Sequence, residues 1–134
     1  MRAFLLISHG PLAPSMKESV QMIAGEHDNL FAASLNFDDS PESFGEKLAA
    51  LEPALAAYDD VVIFTDLYGG SPGNTAITRY MNDPKKTLIS GMNFPMILTA
   101  LLEEGAEIPY LMETGRQGIL DIRTMLASMS DDED

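Results

Sequence analysis

The sequence predicts an α/β fold, a doubly wound and mainly parallel sheet with helices on both faces. Three observations carry that expectation. Strand-like and helix-like segments alternate five times along the chain. Val61 to Thr65 is an uninterrupted apolar run rich in β-branched residues, which suits a strand buried on both faces. No linker, repeat or low-complexity segment breaks the alternation before an acidic C-terminus, so residues 1–129 read as one domain and 130–134 as a solvated tail.

The elements follow in order. Ala3 to Ser8 is short and apolar, a first strand, and His9, Gly10, Pro11 and Pro14 form the loop after it. Ser15, with Glu18 three residues on, has the pattern of a capping box, and the helix it opens ends near Gly25. Leu30 to Asn36 is a second strand. Ser40-Pro41 opens a second helix whose Phe44, Leu48, Leu51, Leu55 and Tyr58 keep one face. Pro53 lies inside it and is expected to kink or split it. The strand at Val61 leads through Asp66, Gly69 and Gly70 to Ser71-Pro72, the chemistry of an N-cap and a first helical turn. That third helix is expected to reach Asn82. Thr87 to Ser90 is a fourth strand, and Gly91 to Pro95 leads into a fourth helix that Gly105 ends. Ile108 to Met112 reads as a fifth strand, confined to an edge by Pro109. A final helix is expected from Gly115 to about Ser128, with Arg116 at its start.

Composition narrows the function classes. The chain has 134 residues, enough for one core and too few for two. Its formal net charge of −13 argues against nucleic acid as a partner. It has no cysteine, so thiol and disulfide chemistry are excluded. Phe4 to Ile7 is too short for a signal-peptide core, and no apolar stretch approaches the roughly 20 residues of a membrane helix. A cytoplasmic protein is expected. The dinucleotide fingerprint and the P-loop are both absent, and the two histidines lie far apart, so neither a nucleotide cofactor nor a metal is expected.

The chemistry concentrates at strand ends. In a doubly wound sheet, ligands bind beyond the carboxyl ends of the strands, at the switch in strand order. His9, Asp66 and the loop at Gly91 to Phe94 all fall at such ends. An imidazole titrates near neutrality, and a carboxylate bonded to one ring nitrogen leaves the other free to attack. Asp66 suits that task. Backbone N–H groups near Gly70 and Ser71, with the Ser71 hydroxyl, suit a phosphate without a metal. Beside this stands a plainer reading, in which His9 is a strand-end histidine satisfied by a backbone carbonyl. His27, between Glu26 and Asp28, reads as a solvated surface residue, and Met92, Met96 and Met112 read as core filler. Arg116 faces either an anion, an acidic neighbour or solvent.

Four segments together resemble one family. They are Ser8-His9-Gly10, the run Asp66-Leu67-Tyr68-Gly69-Gly70-Ser71-Pro72-Gly73-Asn74, Gly91-Met92-Asn93-Phe94-Pro95-Met96, and Glu113-Thr114-Gly115-Arg116. In order and spacing, from about residue 2 to 126, the chain is similar to the IIA component of the mannose-type sugar phosphotransferase system. The resemblance implies that His9 accepts a phosphoryl group from the phosphocarrier protein HPr and passes it to a IIB component, which serves sugar uptake through membrane IIC and IID proteins. It implies that Asp66 hydrogen-bonds the active histidine and that Ser71 contacts phosphate. It also implies a homodimer that exchanges an antiparallel edge strand, and a cytoplasmic protein peripheral to a membrane permease. With no IIB domain in the sequence, the acceptor is expected on another chain. Two other readings are a donor subunit of a dihydroxyacetone kinase, a cousin that lacks the full GGSP-x-N run, and a non-catalytic anion-binding module.

Overall fold

The computed structural model describes residues 1–132, and their sheet has four strands, all parallel. The strands are β1 (Arg2–His9), β2 (Leu30–Leu35), β3 (Asp60–Thr65) and β4 (Lys86–Ser90), in the order β2-β1-β3-β4. β1 is therefore central, and the chain reverses its direction of winding between β1 and β3. Register aligns Ile7 with Thr65 across that pair and His9 with Leu35 on the other side. The carboxyl ends of β1 and β3 thus lie side by side, where the sheet opens for a ligand.

Alternation along the two central strands sorts the core into two layers. Phe4, Leu6, Val62 and Phe64 face one side. There they meet α1 (Leu12–Ala24), α4 (Phe94–Leu102) and Leu111 of α5 (Ile108–Gln117). Ala3, Leu5, Ile7, Val61 and Ile63 face the other side, against α2 (Pro41–Leu55) and α3 (Ser71–Tyr80). Burial on both faces explains why these strands read as continuous apolar runs. Met92 and Met96 are buried and Met112 packs against the same cluster, as gap-filling residues should.

Several boundaries differ from the sequence-based expectation. No fifth strand occurs among the described residues, because Ile108 to Met112 begins α5. Pro109 sits in its first turn, where a proline costs no hydrogen bond, and Leu111 and Gly115 turn the same face inward. The expected final helix is two helices, α5 and α6 (Ile122–Asp132). The backbone of α6 takes in the start of the expected tail, and residues 133–134 lie outside the described residues. Arg116 consequently stands in the last turn of α5, a favourable place for a cation, and pairs with Glu113 at 3.6 Å. α2 runs on to Leu55 although Pro53 has no N–H to give the Ala49 carbonyl, and with only two helical residues beyond it there is little helix left to be displaced. A capping box that the sequence reading did not name opens it, between Ser40 and Ser43.

Candidate functional site

β1 and β3 each deliver one functional side chain to the switch point. His9 is the last residue of β1, and Asp66 follows the last residue of β3. The Asp66 N–H still donates to the Ile7 carbonyl at 3.2 Å, which holds it in line with the strand. One oxygen of its carboxylate, Oδ2, accepts two hydrogen bonds from His9, from the backbone N–H at 2.9 Å and from ring Nδ1 at 2.9 Å. An ionised carboxylate only accepts, so Nδ1 carries a proton, and in the neutral ring that leaves the lone pair on Nε2. Burial pushes the Asp66 carboxyl upward, yet the N–H and ring of His9 outweigh it and hold the group below its ordinary value. The Asp66 side chain is 12% exposed and that of His9 47%. The carboxylate is thus the fixed partner, and the ring faces outward.

The free edge of the ring lies against the start of α3. Gly70 is the N-cap, with φ −84° and ψ 165°, and its backbone touches the imidazole so closely that a Cβ there would stand 2.5 Å from Cε1 and 3.0 Å from Nε2. No other residue type fits without moving His9. Ser71 is the first helical residue and not the N-cap, and among the described residues its hydroxyl makes no hydrogen bond. α3 opens with no side-chain cap and with Pro72 in its first turn, so its amino end offers uncapped N–H groups and a positive dipole end to whatever occupies Nε2.

Two buried hydroxyls support the pair. Ser8 is fully buried, and its hydroxyl accepts from the Ala13 N–H at 2.7 Å while donating to the Gly10 carbonyl at 3.1 Å. It caps α1 from five residues upstream. That is why α1 begins at Leu12 and the expected cap at Ser15 is not used. Thr65, also buried, donates to Oδ1 of Asp66 at 3.4 Å and lies beside Gly73. For Thr65 the only sequence signal is a hydroxyl at the end of an apolar run, whereas Ser8 lies within the Ser8-His9-Gly10 segment.

The remaining candidates stand apart. Gly91 to Phe94 reaches the same rim one strand further out, where Asn93 spends its side chain capping α4 through the Met96 N–H at 3.2 Å. His27 precedes β2 at the opposite end of the sheet, with Nδ1 3.0 Å from the Gly25 carbonyl. It is half-buried, and what meets its ring is main chain.

Known proteins resemble this chain in sequence and in fold. The family model EIIA-man, described as the PTS system fructose IIA component, matches residues 3–113, a span that holds His9, Asp66, Gly70 and Ser71. The chain is 30% identical over 95 residues to the PTS system sorbose-specific EIIA component of Lacticaseibacillus casei, covering 70% of this chain and 67% of that one. It is 28% identical over 101 residues to the PTS system fructose-specific EIIA component of Bacillus subtilis, covering 75% and 69%. Among solved structures, the mannose/sorbose specific IIA subunit of the phosphotransferase system from Enterococcus faecalis superposes with a TM-score of 0.79 at 27% identity, covering 89% and 92%. The chain belongs to the EIIA-man family, the mannose-type IIA components of sugar phosphotransferase systems.

Proposed function

We propose that this IIA component relays a phosphoryl group through His9, taking it from phospho-HPr and handing it to a IIB component that serves a membrane IIC/IID permease. One observation carries the reading: Nδ1 of His9 is tied to Asp66 at 2.9 Å while Nε2 faces the amino end of α3. The Nε2 lone pair attacks phosphorus as the phosphorus–nitrogen bond of the donor breaks, and that electron pair returns to the donor imidazole. The proton on Nδ1 stays put. The positive charge that develops on the ring is balanced by Asp66, and the phosphoryl oxygens meet the N–H groups at Gly70 and Ser71 and the free Ser71 hydroxyl. Transfer to the acceptor reverses these steps.

Labelling from phosphoenolpyruvate through the general phosphotransferase proteins tests this. His9→Ala takes up no label, and His27→Ala labels normally. Label retained by a folded His9→Ala protein overturns the mechanism.

A homodimer belongs to the same reading, and what supports it is uncovered apolar surface. Ile119, Leu120, Ile122, Leu126 and Met129 are all exposed, on and just before α6. Beyond β4 no further strand covers the sheet among the described residues. A second copy would bury both. Among the described residues no helix is long and apolar enough to cross a membrane.

A further inference from the structure

A cavity of about 250 Å³ opens at the end of the sheet opposite His9. β1 spans eight residues, roughly 26 Å of strand, so nothing bound there touches the imidazole. Phe4 of β1 with Ala100 and Leu101 of α4 give the cavity its apolar lining. The segment that leads from α1 into β2 forms another wall, with His27 and Asn29. The volume is several times the roughly 30 Å³ share of one water and just short of the roughly 300 Å³ at which drug-sized sites begin. It suits a small organic molecule.

The polar lining is one-sided. Asn29 is 9% exposed, and its amide nitrogen donates to the Arg2 carbonyl at 2.8 Å. Oδ1 of the same side chain meets no donor among the described residues. Ring Nδ1 of His27 lies 3.0 Å from the Gly25 carbonyl. A carbonyl only accepts, so Nδ1 carries a proton, and in the neutral ring Nε2 keeps a lone pair with no donor among the described residues. Glu104 is exposed on the same lining, and among the described residues its carboxylate has no partner. The cations there are already matched. Arg2 gives Nε and Nη2 to Asp60 and Nη1 to the Ala106 carbonyl at 2.6 Å, and the Met1 ammonium is held by Asp59. A carbonyl oxygen as deeply buried as that of Asn29 is costly without a donor, and something from outside the chain can supply one.

Three acceptors, one of them anionic, beside an apolar lining fit a ligand with several N–H groups, a positive charge and a short hydrocarbon body. A primary ammonium carries three donors on one atom. A carboxylate or phosphate would meet acceptors, and the chain as a whole has a formal charge of −13. We infer that this cavity binds a small primary ammonium compound. Its nitrogen donates to Asn29 Oδ1, His27 Nε2 and the Glu104 carboxylate, and its carbon body lies on Phe4 and Leu101. The site is independent of the relay at His9.

n-Butylammonium is the probe, titrated into ¹⁵N-labelled protein. The backbone amides of Asn29 and Leu101 and the side-chain amide of Asn29 shift and saturate with a Kd of about 1 mM, which a handful of non-hydrogen atoms allows. Butyrate, similar in size and opposite in charge, moves none of them, and n-butanol binds about tenfold more weakly. Glu104 makes no bond that the fold uses, so Glu104→Gln keeps the thermal midpoint and raises the Kd about threefold. His27→Phe keeps a ring in place, removes Nε2 and raises the Kd about fivefold. A Kd that neither variant changes overturns the assignment. Shifts that stay linear up to about 100 mM do the same. So does butyrate or n-butanol that binds as tightly as n-butylammonium.

Discussion

Replacing Gly70 by alanine separates the geometry of the site from the stability of the fold. The backbone there has φ −84° and ψ 165°, which alanine adopts freely, so no torsional strain is introduced. The added methyl, however, stands 2.5 Å from Cε1 of His9. Ordinary carbon contacts lie at roughly 3.5–4.0 Å, so the ring or the chain must yield by about 1 Å. The ring is the softer element, since its side chain is 47% exposed. Swinging outward, it loses the 2.9 Å bond from Nδ1 to Asp66. That loss is about 0.5–1.5 kcal/mol, and the entropy removed from the unfolded chain returns about 0.4–1 kcal/mol. The thermal midpoint should barely move. Phosphoryl transfer should fall about 100-fold, the usual consequence of a reacting group displaced by about 1 Å, equivalent to about 2.7 kcal/mol of barrier. Gly69→Ala is the control: φ is +88° and nothing lies within 4 Å, so backbone strain of about 1–2 kcal/mol lowers the midpoint while the ring keeps its place. The assay is label transfer from phosphoenolpyruvate beside a thermal melt of each variant. A Gly70→Ala protein that transfers within twofold of wild type refutes the argument from contact.

Asp66→Asn should keep the fold and slow transfer, because an amide can present its N–H to Nδ1 and shift the ring proton to Nε2; ¹⁵N spectra of His9 should show the changed tautomer, and an unaltered rate would remove the role given to Asp66. Ser8→Ala leaves the Ala13 N–H unsatisfied in a buried place and should cost about 1–3 kcal/mol by urea unfolding; a loss below about 0.5 kcal/mol would show that this cap is unimportant. Asp39 is held at about 2 by the Lys47 ammonium, the Asn36 N–H and the Ser43 hydroxyl, against about 3.9 in an unfolded chain. A depressed carboxyl contributes stability that is present above about pH 4 and lost as pH falls toward 2. Asp39→Asn should therefore shrink the gap between urea midpoints at neutral pH and at pH 3, and an unchanged gap would place the acid sensitivity elsewhere. Light scattering should give the mass of a dimer, and a monomer at micromolar concentration would leave the exposed face of α6 without its partner.

Much of this arrangement was legible in the sequence because parallel strands buried on both faces leave unbroken apolar runs. Val61 to Thr65 and Ala3 to Ser8 could hardly be anything else, and the residues that end them are the site pair. Ile108 to Met112 was ambiguous for a physical reason. Five largely apolar residues suit a strand or a helix, and the arbiter, Pro109, is at home both at a sheet edge and in a first helical turn. Ser15 and Glu18 have the spacing of a capping box, yet the start of α1 is settled by a hydroxyl five residues upstream, a longer reach than local patterns record. Gly70 looks like any glycine of a tight turn. Its necessity comes from an imidazole sixty-one positions earlier, which only the folded chain brings near.

The pairing of β1 with β3 also has a consequence for assembly. His9 and Asp66 are 57 residues apart, and they meet only when the two central strands zip together across the whole β2–α2 excursion. Closing so large a loop is slow compared with forming a helix or a neighbouring strand pair. A nascent chain that has formed only β1, α1 and β2 therefore holds a histidine with no carboxylate behind it and no helix start in front of it. Competence to take up phosphate should appear in step with the central strand pairing and not before. Label uptake during refolding then doubles as a clock for the pairing of β1 with β3.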